Sequence, residues 1–291
     1  MYHPWLHRYA VLLACATLLL LVAGGLVTSN DAGLALGSWP LVELDAESTS
    51  PGALYEIGHR VAASVVGLLT IGLAIFLWRA DRRAWMRWLG VAAVAAVIAQ
   101  GLLGGFAVRW LLPQAVSVLH AVSAGLFFAL TVALAVLTSR GWVEAAPRPV
   151  ESGRGVPLFT LALIAAAALL AQIAIGAAVR HNAMGMPAHI VSGTTAGVLG
   201  LWAVWRVLAR HGAHTELRRS ALALLSLGAS QAVLGMGSLL SRAALAQSPQ
   251  PPPWLALAFT VSHVAAGAAA LAAAVVLALY ARRGAAAPEA A

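Results

Sequence analysis

Residues 88–138 read WLGVAAVAAVIAQGLLGGFAVRWLLPQAVSVLHAVSAGLFFALTVALAVLT, with Arg109 as the one charged residue in the whole stretch. Crossing a bilayer takes about 20 predominantly apolar residues in a helix. The stretch holds two such runs, 88–108 and 114–138, joined by a few residues around Arg109. It therefore reads as a hairpin of two membrane spans. Working outward, six more runs of this kind follow the same pattern, at roughly 9–28, 54–78, 157–179, 187–209, 220–240 and 254–280. The chain has 291 residues, 61% of them hydrophobic and 10% charged, too little charge to cover a soluble domain of this length. The expected fold is an all-α membrane protein of eight transmembrane helices, with little chain left for a soluble domain.

The net charge of +8 comes from arginine, because the sequence has no lysine. Basic residues set between apolar runs orient helices and meet anionic headgroups, so the excess does not point to nucleic acid. Arg8, Arg79, Arg82, Arg83, Arg87, Arg140, Arg148, Arg154, Arg206, Arg210, Arg218, Arg219, Arg282 and Arg283 all fall on one side of the eight runs. Arg109, Arg180 and Arg242 fall on the other, and Arg60 lies just inside the second run. The positive-inside rule then makes both termini cytoplasmic and places the acidic loop 29–53, with Asp31, Glu43, Asp45 and Glu47, outside. The tryptophans fall near predicted span ends, as interfacial anchors do. Cys15 is the one cysteine, which excludes an intrachain disulfide and a cysteine-based metal site. Leu12-Leu13-Ala14-Cys15 has the look of a lipoprotein cleavage box, but the apolar run continues past it, as in a retained helix.

The hairpin also repeats. Gln100-Gly101-Leu102-Leu103-Gly104 in the third span has a counterpart in Gln231-Ala232-Val233-Leu234-Gly235 in the seventh. His120-Ala121-Val122-Ser123-Ala124-Gly125 in the fourth corresponds to His263-Val264-Ala265-Ala266-Gly267 in the eighth. His59, Ala63 and Gly67 step by four in the second span, as His189, Gly193 and Gly197 do in the sixth. Four spans per half make the repeats parallel about an axis along the membrane normal. The expectation is two pseudo-symmetric four-helix bundles: residues 1–140, a cytoplasmic linker 141–155, and residues 156–291. Chance likeness between alanine- and glycine-rich helices is the alternative, and the matched histidines weigh against it.

His59, His120, His189 and His263 each sit near the start of an even-numbered span, so all four gather toward the outer leaflet. An ionisable residue within a membrane span is a functional candidate by default. A lone histidine there is commonly an interhelical hydrogen-bond partner, but four at matching depths form a pattern. A proton pathway would also call for membrane carboxylates, and Glu56 is the single candidate. A zinc site would need three or four converging ligands. Two separated imidazole pairs suit two haems, each held across the core of a bundle, with small residues one turn away leaving room for the porphyrin. His3, His7, His211 and His214 fall in cytoplasmic segments and are expected to be solvated. Glu56 and His59 share a face of the second span, and Arg60 follows. Two readings stay open there: a carboxylate stabilised by the helix N-terminus beside an interfacial arginine, or a carboxylate at a reacting centre with an arginine for a haem propionate.

These residues resemble the haem A synthase family over nearly the whole chain. Glu56-Ile57-Gly58-His59-Arg60 is similar to the family's Glu-x-x-His-Arg signature. Gly24-Gly25-Leu26-Val27-Thr28, Ala32-Gly33-Leu34 and Trp39-Pro40-Leu41 resemble its first helix and outer loop, and the Gln-x-x-Leu-Gly pattern of the third span and Gln172 to Arg180 of the fifth are also similar. The resemblance implies a bacterial inner-membrane oxidoreductase that converts a methyl group of haem O to a formyl group, giving haem A for terminal oxidases. It implies a substrate haem O site between His59 and His120, with Arg60 nearby, and a haem b cofactor between the axial ligands His189 and His263. Glu56 would lie closest to the chemistry. The implied partners are haem O, membrane lipid, haem O synthase, terminal oxidase subunits and an unidentified electron acceptor, with no nucleic acid.

The sequence departs from the family in two places. Many members carry a cysteine pair in the first outer loop, where this chain has Leu36 and its neighbours, so no disulfide is expected. The connection from Arg180 to Met186 is very short, which would set His189 shallower than His263 and leaves His181 as a rival ligand. His189 is preferred because it keeps the four-residue ladder with Gly193 and Gly197. A haem-binding electron-transfer or oxidase-assembly protein, and more remotely a transporter, are the rival readings.

Overall fold

A computed structural model describes residues 2–40, 50–150, 155–245 and 254–286, without the side chains of Arg242 and Leu245. Glu43, Asp45, Glu47 and Arg154 lie outside the described residues. The described chain is helical throughout its ordered elements: α1 Pro4–Ser29, α2 Pro51–Ala80, α3 Ala84–Arg109, α4 Gln114–Leu137, α5 Arg140–Val143, α6 Leu158–Arg180, α7 Met186–Arg210, α8 Thr215–Leu245 and α9 Trp254–Ala285. All but α5 are long and apolar enough to cross a membrane, so the protein is a multi-pass membrane protein of eight spans. In hydrocarbon a helix satisfies its own backbone groups, which is why these runs can fold in no other open form.

The helices outrun the apolar windows because polar residues cap and extend them. The α1 helix begins at Pro4, whose ring suits a first helical position, and the His3 side chain accepts from the Leu6 amide. The polar run Thr215-Glu216-Leu217-Arg218-Arg219 is the first turn of α8 rather than a connector. The α5 turn, capped by Ser139, interrupts what hydropathy reads as plain linker.

Within residues 1–140 the packing follows the chain: α1 on α2, α2 on α3, α3 on α4, and α4 back on α1. Residues 156–286 show the same order, with α6 on α7, α7 on α8, α8 on α9, and α9 on α6. The halves meet through α4 against α6 and α9, and through α1 against α9.

Lipid tails are as apolar as leucine, so span association relies on close packing and interhelical polar contacts. That packing is uneven along the helices. The largest fully buried side chains include Leu13, Leu73, Leu77, Met86, Leu134, Leu161, Leu217, Leu271 and Leu277. They lie between the middle of the helices and the end that carries most of the arginines. At that end Arg83 pairs with Asp81 at 2.6 Å and donates to the Leu137 carbonyl at 3.0 Å, while Arg87 donates to the Asp81 carbonyl at 2.7 Å. Cations at the C-terminal ends of α2 and α4 meet the negative ends of those helix dipoles. The opposite end holds the four histidines and has no comparable leucine core among the described residues.

The four histidines expected to be solvated are drawn into the structure instead. The His3 ring also packs edge-on to Phe76, and His7 Nδ1 lies 3.0 Å from the Ala135 carbonyl oxygen. His214 pairs with Glu216 at 3.3 Å with only 13% of its side chain exposed, and His211 is half-buried. The cause is the same in each case: helix ends close over the short connections. Burial is the main influence on His214, and it pulls its pKa below the ordinary value despite Glu216 nearby.

Candidate functional site

The four histidines lie in the less densely packed half, and each rests on a glycine of the preceding span. A Cβ built on Gly24 would stand 3.0 Å from His59 Cε1, and one on Gly104 would stand 3.3 Å from His120 Cε1. The corresponding distances are 2.8 Å from Gly176 to His189 Cε1 and 3.0 Å from Gly235 to His263 Cε1. Each imidazole therefore lies against bare helix backbone, a closeness that any larger residue would disturb.

His189 and His263 face one another, with ring centroids 6.0 Å apart and planes at 78°. A metal–imidazole bond is roughly 2 Å long, so two imidazoles on opposite sides of one ion place their centroids about 6 Å apart. The spacing thus fits a pair of axial ligands. The short Arg180–Met186 connection does not hold the His189 ring away from His263. His59 and His120 rest on the corresponding seats, Gly24 and Gly104, in the N-terminal half. His181 caps the C-terminal end of α6 and lies within electrostatic reach of His120. Burial and then the adjacent Arg180 hold its pKa below the ordinary value.

Two features suit a flat, anionic, two-ligand group. Gly67, two turns along α2 from His59, and Gly197, two turns along α7 from His189, both face open space. The Nδ1 atoms of His59, His120 and His263 are buried without a hydrogen-bond partner among the described residues, as is Arg60 Nη1. Orphaned buried donors are costly and point to an absent partner. No three of His, Cys, Asp or Glu converge among the described residues, so protein ligands alone do not build a closed ion site there.

Glu56 is 3% exposed, one turn before His59 on α2. Its Oε1 accepts from Arg60 Nη2 at 2.5 Å, and its Oε2 accepts from the Leu36 amide, in the segment 30–40 that follows α1, at 3.0 Å. Of the two readings open for Glu56 and Arg60, the structure thus shows a third element: the pair binds each other and the loop. Sequence reading had no means of finding this bond, since it depends on the path of an irregular loop. Arg180 reaches from α6 to the Gly25 carbonyl at 3.0 Å and to Ser29 Oγ, placing a cation at the C-terminal end of α1.

A sequence profile of the COX15-CtaA family, described as cytochrome oxidase assembly protein, matches residues 41–191. That is more than half of the chain, and it includes Glu56, His59, His120 and His189. The chain belongs to this family. Among curated relatives, proteins named "Heme A synthase" from Shouchella clausii and Alkalihalophilus pseudofirmus are 33% and 32% identical over 192 and 184 residues. Each alignment covers 62% of this chain and 60% or 61% of the relative. A relative of the same name from Halalkalibacterium halodurans is 29% identical over half of each chain. The matches thus span about three-fifths or less of the length of these relatives.

Proposed function

We propose that this chain is a haem A synthase that oxidises a methyl group of haem O to a formyl group within the membrane, in support of terminal oxidase biogenesis. The observation that carries the reading is the facing pair His189 and His263, at a spacing suited to axial ligation, combined with a second histidine pair that has a buried carboxylate beside it. The names of the relatives support the same activity. The proposed substrate site lies between His59 and His120, and His189 and His263 would hold a resident haem b. Haem O synthase, terminal oxidase subunits and an electron acceptor are the proposed partners. The inner membrane of a bacterium is the proposed location, with both termini cytoplasmic by arginine placement.

A resident haem b supplies one-electron redox chemistry when bound. The chain's own residues supply position and proton handling. The glycine seats fix where each imidazole can lie. The small residues Ala63 and Gly67 follow His59 at four-residue steps, and the space beside Gly67 is open along α2. Arg60 is placed to meet a carboxylate of the substrate with its unpartnered Nη1 while Nη2 holds Glu56. Glu56, one turn from His59, would accept a proton released from the substrate methyl or stabilise positive charge developing there. Its hydrogen bond to Leu36 couples that carboxylate to the segment that follows α1.

The ligand assignment is tested on purified protein. His189→Ala and His263→Ala should each remove one low-spin haem from the optical spectrum and leave the other half able to bind. Retention of both haems with unchanged ligation in both variants would sink the assignment.

A further inference from the structure

The seat glycines share a second device in three of the four pairs. A glutamine four residues before each seat donates its side-chain amide to the histidine's own main-chain carbonyl. The distances are 3.2 Å from Gln100 to His120, 3.1 Å from Gln172 to His189 and 3.0 Å from Gln231 to His263. A helical carbonyl has a second lone pair, so this bond is added without breaking the helix ladder. For Gln100 and Gln231 it ties the histidine backbone, rather than its ring, to the neighbouring span; Gln172 Nε2 lies in addition 3.0 Å from the His189 ring Nδ1. Hydroxyls of Ser123 and Ser192 approach the same carbonyls of His120 and His189 at 3.2 Å.

The fourth pair lacks the device. Four residues before Gly24 stands Leu20, and no side chain among the described residues donates to the His59 carbonyl. His59 keeps its seat without the tie. Its turn of α2 is held instead through Glu56, which binds a loop amide and not a neighbouring span. A loop can shift while the helix packing persists. Among four histidines of one design, His59 has the loosest backbone restraint.

We infer that Gln100, Gln172 and Gln231 are positioning residues for the three tied imidazoles, and that His59, beside Leu20, is the ligand that lets go when haem is exchanged. The inference rests on the haem reading above. It also accounts for why one site of two similar ones turns over its tetrapyrrole: a resident cofactor is held at both ends by tied histidines, a substrate at only one.

The test follows haem loss from protein loaded with haem O and haem b into an excess of a haem-scavenging apoprotein. The two sites are resolved by their low-spin ferric electron paramagnetic resonance signals. In the wild type the N-terminal site should empty first. Gln231→Leu should speed loss from the C-terminal site by about tenfold, the effect of one hydrogen bond, and shift that site's signal alone. Leu20→Gln should slow loss from the N-terminal site by a similar factor. Gln100→Leu, which unties the other ligand of that site, should speed its loss and keeps the question open to test if Leu20→Gln does not assemble. Wild-type rates and signals in Gln231→Leu and Gln100→Leu would overturn the inference, as would equal loss from both sites in either variant, which marks general loosening. Protein that takes up no bis-histidine haem would overturn the haem reading itself. Haem bound with unaltered rates would overturn the glutamine role alone.

Discussion

Glu56 is a carboxylate with almost no exposed surface, and both of its oxygens are engaged, by Arg60 and by the Leu36 amide. A carboxylate this well held at a helix start can be structural, and an amide of the same shape separates the two roles. Glu56→Gln keeps an acceptor for the Leu36 amide and removes the charge. It should leave haem content unchanged and lower haem A formation by about 100-fold or more, the usual scale for loss of a general base. Near-normal haem A formation in cells producing Glu56→Gln would make the residue a strut. At the other end of the same helix, Asp81 shows the opposite balance. Burial works against its charge, but the hydrogen bonds and charge of Arg83 outweigh burial and hold its carboxyl below the ordinary value of about 3.9. A lowered folded-state pKa means stability that is fully present above the unfolded value and is lost as pH falls through the folded one. The difference in melting temperature between wild type and Asp81→Asn in detergent should therefore be constant near neutrality and shrink below pH about 4. A difference that grows on acidification would contradict the pairing.

At the scale of the helices, hydropathy showed the eight spans and their order, because a run of apolar side chains between arginines has one stable solution in a bilayer. It placed α1 and α8 too short, since caps and polar first turns lie outside an apolar window. The expectation that His189 faces His263 came from the family resemblance, and the two rings do face one another. The glycine seats and glutamine ties were not legible, although Gln-x-x-x-Gly stands in α3, α6 and α8 and was the available signal. A motif on one helix says nothing of which neighbour it touches until the crossing is known. The open space beside Gly197 gives this scale its test. A Cβ added at Gly197 meets no atom within 4 Å, so Gly197→Leu should match the wild type in helical content and expression. If that space takes the porphyrin, the C-terminal haem should be lost, halving haem per protein by optical titration. Full haem content in a folded Gly197→Leu protein would put the porphyrin elsewhere.

Over the whole molecule the two ends are built differently. The arginine-rich end is closed by leucine, methionine and alanine packing and by Arg83 and Arg87 on helix termini. The histidine end is floored by glycine, holds four half-buried imidazoles, and leaves buried nitrogen atoms without partners among the described residues. The firm half fixes the helix spacing, and the looser half carries the proposed haem sites, one in each of two similarly ordered sets of four spans. Arg180, anchored on the end of α1, joins the two sets at the level of the histidines. The most direct measurement of the central claim is pigment extraction from membranes of cells that produce this chain together with a haem O source and no other route to haem A. The account predicts haem A in the extract, identified by its formyl-shifted haemochrome spectrum. Haem O alone, with the protein present in the membrane and haem bound to it, would contradict it.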